Sequence, residues 1–420
     1  MKKLLVLGSN TGCFQLIEEA HRRGIHTIAA GPISSKRQMS SLGADEIWDI
    51  DTSAIEELEK KCREQGVDAV INGISAFNTE ACMELARRLN LPFYATPESW
   101  HYTVNKYDFK ALCRKTGVPV AKDYFVNNPP TDAELNQIQF PVVVKAIDLG
   151  ANRGMSYCYK KEDIEPACNY ARSLSKSDLV VIEKMLQGTE YAAHYAVAEG
   201  EASLINFCCM LSQPGYPGNC YSVTSTETDQ YENYMKELHP HLLDFIRAAG
   251  IREGVCWFEM MLDTDGHLYV LEMGYRMSGD LFAIPMNSVC GFDSYQWLVD
   301  IAMGIRHLRE DLPKPMTELP ERCGTSYIIW SKNYQGKITR LSGLEEVARL
   351  PGVTVDCVLR EGSEVNPYQY LVIIPIDSPD SESLIQTIEQ INKLVEIEGE
   401  QGENIAIFYD DFDRIRSISR

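Results

Sequence analysis

The sequence predicts an α/β chain that opens with a doubly wound parallel sheet, continues through further strands and helices and closes with a smaller α+β region. Three observations predict it. Up to residue 105, short apolar runs alternate with helix-length segments, the order that yields a parallel sheet with helices on both faces. Beyond it, longer strands follow one another, and two of them flank Asp263-Thr264-Asp265-Gly266, a hairpin signal. After Asp311 the pattern changes to short β runs with one helix.

In order, Leu4–Leu7 is an expected buried strand, Cys13–Arg23 a helix stopped by Gly24, and His26–Ala30 a second strand. Ile55–Gln65 is a helix closed by Gly66, Ala69–Ile71 a strand and Thr79–Leu89 a helix. Pro92 and Pro97 mark the exit, and Asn105–Thr116 is a helix stopped by Gly117-Val118-Pro119. Pro141–Ala146 and Leu179–Ile182 are continuous apolar strands, Tyr191–Ala198 alternates, and Ala202–Met210 is another strand. Tyr234–Ala249 is a helix ended by Gly250, with His239-Pro240-His241 beginning or interrupting it. Thr325–Trp330 and Leu371–Ile376 are strands and Ser383–Val395 a helix. The expected divisions are residues 1–105, 106–182, 183–310 and 311–420.

Composition narrows the function. The chain has 420 residues and a formal charge of −20, which argues against nucleic-acid binding but leaves room for a local cationic cluster around anionic small molecules. No apolar run has the length of a membrane span, and Met1–Gly8 reads as a first strand rather than a signal peptide. Thirteen scattered cysteines without C-x-x-C or zinc spacing point to the reducing cytoplasm. Gly8–Gly12 lacks the G-x-G-x-x-G pattern and the second strand ends without an acid, so NAD binding is disfavoured.

The hairpin carries the strongest chemical signal. If Asp265-Gly266 is a two-residue type I′ loop, Thr264 faces His267, and Glu259 falls opposite Glu272. Carboxylates about 5 Å apart repel, so one is protonated or a cation lies between them. An oxygen-only pair suits Mg²⁺ or Mn²⁺ bound together with phosphates. The alternative is a register slipped by one, with both acids in solvent. Arg276, four residues beyond Glu272, can hold a carboxylate or phosphoryl group bidentately, or pair with one of the acids.

Other segments are open when taken singly. Lys145 ends a buried strand and needs an anionic partner, or is solvated beside an ordinary loop. The loop 148–154, with Gly150, Asn152, Arg153 and Gly154, has the make-up of one whose N–H groups approach phosphate, though it is no Walker A motif. Glu183-Lys184-Met185-Leu186…Glu190 follows a strand whose edge can take a purine, or is a solvated turn. His194 reads as a core or cleft histidine rather than a catalyst.

Together, Lys106, Lys145 with its glycine-bearing loop, Glu183…Glu190, Glu259 and Glu272…Arg276 resemble the ATP-grasp superfamily. The resemblance spans nearly the whole chain and is strongest to the L-amino-acid ligases. Glycinamide-ribonucleotide synthetases and the carbamoyl-phosphate synthase large subunit are similar at greater distance. It implies an N-terminal α/β domain, two ATP-clamping subdomains and a C-terminal cap. It further implies that Lys106 and Lys145 meet the phosphates of ATP, that Gly150–Gly154 form a lid, and that Glu183, Lys184, Met185, Leu186 and Met261 surround adenine. Glu190 would meet the ribose, Glu259 and Glu272 would bind Mg²⁺, and Arg276 with Lys145 would serve catalysis. The family's second metal motif is often Glu-x-Asn, and here Gly274 stands at the Asn position. The implied activity is a carboxylate–amine ligase, with an amino acid as the favoured acid, small-molecule partners and a homodimer. Alternatives are nucleotide or carbamoyl metabolism, or a nucleotide-binding regulator without turnover.

Overall fold

The computed structural model describes residues 1–9, 11–32, 42–147, 154–175, 179–216, 221–225, 230–314, 322–356 and 359–418. The first sheet contains β1 (Lys3–Leu7), β2 (His26–Gly31), β3 (Glu46–Asp49) and β4 (Ala69–Asn72), in the order β3-β2-β1-β4 and all parallel. Leu4 and Val6 face a core shared with helix Cys13–Arg22, whereas Leu5 and Leu7 face helices Ile55–Gln65 and Ala76–Leu89. Burial on both faces is why β1 is continuously apolar. β3 is an edge strand absent from the expected elements, and only Trp48 of its four residues is buried.

Helix Lys106–Thr116 begins where Asn105 accepts hydrogen bonds from the N–H groups of Tyr107 and Asp108, a side-chain cap on otherwise orphaned donors. The next sheet is antiparallel: β5 (Asp123–Tyr124), β6 (Val142–Ala146), β7 (Ser156–Cys158) and β8 (Val180–Lys184), ordered β5-β8-β6-β7. Helix Ile164–Leu174 covers it through Ile164, Ala167, Cys168 and Ala171. β8 runs through residues 182 and 183, where the sequence places a division.

The largest sheet is built on β9 (Gly188–Ala198), β10 (Glu201–Ser212), β11 (Tyr221–Ser225), β12 (Gly254–Asp263), β13 (Leu268–Gly274) and β14 (Cys323–Ser331). The short strands β15 (Gly336–Lys337) and β17 (Glu364–Val365) pair, as do β16 (Arg340–Ser342) and β19 (Glu396–Glu398). With β18 (Tyr370–Ser378) the large sheet runs β13-β12-β9-β10-β11-β14-β18, and β20 (Ala406–Ile407) adds to β14. Strands of the C-terminal region thus extend the central sheet, and one apolar cluster reaches from Leu4 to Ile418. The expected helix Tyr234–Ala249 is two, Tyr231–Glu237 and His239–Ala248, because Pro240 has no N–H for the preceding turn. No helix among the described residues is long and apolar enough to cross a membrane.

The hairpin differs from expectation in an instructive way. Asp263 N–H donates to His267 O at 3.0 Å and Gly266 N–H to Asp263 O at 2.9 Å. The loop therefore has three residues, Thr264–Gly266, and Gly266 takes the left-handed φ of 82° that closes such a turn. Leu262 consequently pairs with Leu268, one out of step with the two-residue loop. An irregularity between Met260↔Val270 and Glu259↔Glu272 then leaves Leu271 as an extra residue and restores the offset. Glu259 faces Glu272 after all, through two shifts that cancel.

The Asn105 cap predicts that Asn105→Ala lowers unfolding free energy by about 1 kcal/mol while Asn105→Asp retains it, as read from denaturant midpoints.

Candidate active site

Strand alternation sets Trp257, Glu259 and Met261 of β12 on one face. Glu259 lies between Ala192 of β9 and Glu272 of β13, Met261 beside Glu190, and Trp257 between His194 and Gly274. The Ala192 methyl leaves the central carboxylate room. Burial pushes the Glu259 carboxyl well above the usual carboxylate range, and Glu272, Glu190 and Asp280 add to it against the opposing Arg276. Glu190 is raised to about 7, by burial and then by Glu272, with Lys145 opposing. Two carboxylates on facing strands, oxygen donors alone, form a pair that fits a hard divalent cation. Among the described residues no group of three or more His, Cys, Asp or Glu side chains is placed to hold a metal ion. Waters and phosphate oxygens would supply the remaining ligands, as is usual for magnesium.

Lys145 comes to this face from β6 of the neighbouring sheet. Burial disfavours its charge, but Glu183 and, across the cleft, Glu272 outweigh that and raise its pKa. Glu183 is the hub of the cationic side: its carboxylate pairs with Lys145 and accepts from Lys110 at 2.6 Å, and Lys110 also pairs with Asp123, itself paired to Arg114. Burial alone would raise the Glu183 pKa; the two lysines reverse this and hold it at about 2. Lys110, 5% exposed in mid-helix, was not among the expected site residues. Its only sequence signal is its place one helical turn after Lys106, which opens the same helix half-buried.

Lys184 donates to Asp263 at 2.5 Å, and Gln187 N–H donates to the other oxygen of that carboxylate at 2.9 Å. Met185 N–H donates to Pro141 O at 3.1 Å, and Met185 and Leu186 are half-buried between the two sheets. Gly154 ends the glycine-bearing loop with φ 69°, whereas Gly150, Asn152 and Arg153 lie outside the described residues.

Arg276 follows β13. Its Nη1 donates to Met277 O at 2.8 Å and its guanidinium lies 5.3 Å from the Trp257 ring centroid. Burial lowers its pKa, while Tyr94, Glu272, Glu259 and Asp280 oppose the shift. His194 is lowered to about 4 by burial, with Asp280 opposing, so the imidazole is neutral at pH 7. Gly274 has a packing reason: a Cβ there would sit 2.2 Å from two carbons of the Trp257 indole. An asparagine cannot occupy this position while the indole does.

Residues 105–310 match the family described as carbamoyl-phosphate synthase L chain, ATP binding domain. With its carboxylate-bearing hairpin and lysine-bearing antiparallel sheet, the chain has the ATP-grasp fold. It is 23% identical over 352 residues to a formate-dependent phosphoribosylglycinamide formyltransferase of Bacteroides fragilis, covering 83% of this chain and 87% of that one. An L-amino acid ligase from Bacillus licheniformis shares the fold with TM-score 0.76 at 19% identity, over 95% of this chain and 99% of that one. So does the biotin carboxylase domain of the Hydrogenobacter thermophilus 2-oxoglutarate carboxylase, solved as a dimer with MgADP and bicarbonate (TM-score 0.75, 19% identity, 95% and 91% covered).

Glu183→Gln leaves two lysines facing a neutral amide, and should cost about 3–5 kcal/mol at pH 7. The carboxylate's contribution is full above the ordinary value of 4.5 and is lost as pH falls from there toward about 2. Urea midpoints at pH 7 and pH 3 should therefore converge for wild type and variant at the acid end. Glu259→Gln should leave the fold intact or stabilise it without metal, because a buried acid beside Glu272 and Glu190 is replaced by a group that cannot ionise; thermal melts with EDTA test this.

Proposed function

We propose that the chain is an ATP-dependent carboxylate–amine ligase that forms an amide or peptide bond through an acyl phosphate, releasing ADP and phosphate. The observation that carries this reading is the facing pair Glu259/Glu272, opposed across the cleft by Lys145 and flanked by Arg276. Glu259 and Glu272 would hold Mg²⁺, with Mn²⁺ an acceptable substitute, and the ion would supply positive charge against the phosphates.

The chain's own groups divide the rest of the work. Lys145 and Lys106 hold the phosphates, and Glu183 is assigned to keeping Lys145 aimed into the cleft. The backbone of Lys184, Met185 and Leu186 with the Met261 side chain receives adenine, and Glu190 the ribose. Gly150, Asn152, Arg153 and Gly154 belong to the lid that keeps water from the acyl phosphate. Arg276 stabilises the oxyanion that develops as the amine attacks. An amino acid is the favoured acid on the resemblance to L-amino-acid ligases. A second reading, formate with a ribonucleotide amine, is favoured by the name of the Bacteroides fragilis relative. A homodimer in the cytoplasm is proposed with either, the partners being small molecules only.

ADP release from ATP and Mg²⁺ across a panel of amino acids, formate and candidate amines tests the reading; nucleotide binding without turnover on any pair would overturn it. Glu259→Gln should abolish turnover in Mg²⁺. Arg276→Ala should lower kcat by about 10²–10³-fold with little change in ATP affinity, since its contribution is made in the transition state.

A further inference from the structure

The connection between β8 and β9 has little hydrogen-bonding freedom left. Lys184 N–H donates to Lys122 O at 2.9 Å, Met185 N–H to Pro141 O at 3.1 Å and Gln187 N–H to Asp263 Oδ1 at 2.9 Å. Of the N–H groups from Lys184 to Gln187, that of Leu186 alone has no partner among the described residues. The charged side chains beside it are committed as well. Lys110 and Lys145 each take one oxygen of Glu183. The Lys184 ammonium lies 2.5 Å from Asp263 Oδ2, 3.6 Å from Asp265 Oδ2 and 5.7 Å from the Tyr269 ring centroid. A base entering here is therefore read by main chain rather than by a charged side chain. A lone N–H donor suits N1 of adenine, which accepts, and opposes N1 of guanine, which carries a hydrogen.

The direction of that donor is set from β12. Asp263 ends the strand and is 4% exposed, and its two oxygens hold the connection on both sides of Leu186, Lys184 by its side chain and Gln187 by its backbone. Burial would raise the pKa of this carboxyl, but Lys184 and the Gln187 N–H reverse the shift, so the group is an anion at pH 7. Close approach completes the clamp. Gly188 pairs with Asp263 in the sheet, and a Cβ at Gly188 would stand 1.8 Å from Leu262 O, so no other residue lets the connection come this near to β12. We propose that Asp263 is a positioning residue that aims the Leu186 N–H at the nucleobase and thereby sets the preference for adenine. It acts through the connection rather than by touching the nucleotide. The inference rests on the reading that adenine meets residues 184–186. Its physical content is preorganisation: the connection is ordered on folding, so less freedom is lost when the base binds.

Calorimetric titration of the full chain with ATP, GTP and inorganic tripolyphosphate, each with Mg²⁺, tests this without any turnover. Asp263→Ala releases both sides of the connection and should weaken ATP binding by about 10–100-fold while narrowing the preference for ATP over GTP. Tripolyphosphate, which has no base, should bind this variant as it binds wild type. Asp263→Asn keeps an oxygen for the Gln187 N–H but loses the charge facing Lys184, so it should fall between the two; it carries the test if the alanine variant melts early. A merely structural role would weaken ATP and tripolyphosphate alike. That result, or an ATP-to-GTP ratio unmoved in both variants, would overturn the role of Asp263 and leave the ligase reading standing. Wild type that binds tripolyphosphate but does not distinguish ATP from GTP would overturn the reading of the base and Asp263 with it. Binding of none of the three by wild type would instead overturn the ligase reading, and the clamp with it.

Discussion

Acidic groups are crowded where three neighbouring strands bring Glu190, Glu259 and Glu272 to one face, the first two half-buried and the last exposed. Such crowding is unfavourable by itself, and the surrounding architecture is arranged to make it tolerable. Ala192 gives the central carboxylate space, Lys145 approaches from a different sheet, and Arg276 closes the far side. The protein spends stability on a site that becomes balanced when cations arrive with a polyphosphate, which is the logic of electrostatic preorganisation.

The cationic side shows the same division between strain and support. A lysine at the end of a buried strand would collapse onto the nearest acid. Here Glu183 meets two lysines at once, and Asp123 and Arg114 continue the alternation of charge outward. Lys145 is thereby held at the boundary between the small sheet and the large one. Its pull reaches Glu190 and Glu272 on the far wall, so the two halves of the cleft sense each other electrostatically.

How much of this was legible in the sequence depended on range. Periodicity and glycine stops located most helices and strands, since those signals are local. The carboxylate pair was also legible, although Gly266 closes a three-residue loop and the surplus Leu271 repairs the register. Neither shift has a local sequence mark. Edge strand β3 was missed because one buried residue in four makes no convincing run. Lys110 was missed because a mid-helix lysine ordinarily points to solvent. Glu183 was read toward a base, and its partners lie 38 and 73 residues away in the chain. The fit of Trp257 against Gly274 depends on strand pairing and could not be read from either residue alone.

Among the described residues, polar contacts tie the segments flanking the small sheet to the two arms of the hairpin. Val270 N–H donates to Pro119 O at 2.9 Å, and Lys184 and Gln187 grip the two oxygens of Asp263. Both anchors sit on the Glu-bearing hairpin, one in each arm. The ribbon that presents the charges is in this way also the strip on which these contacts converge.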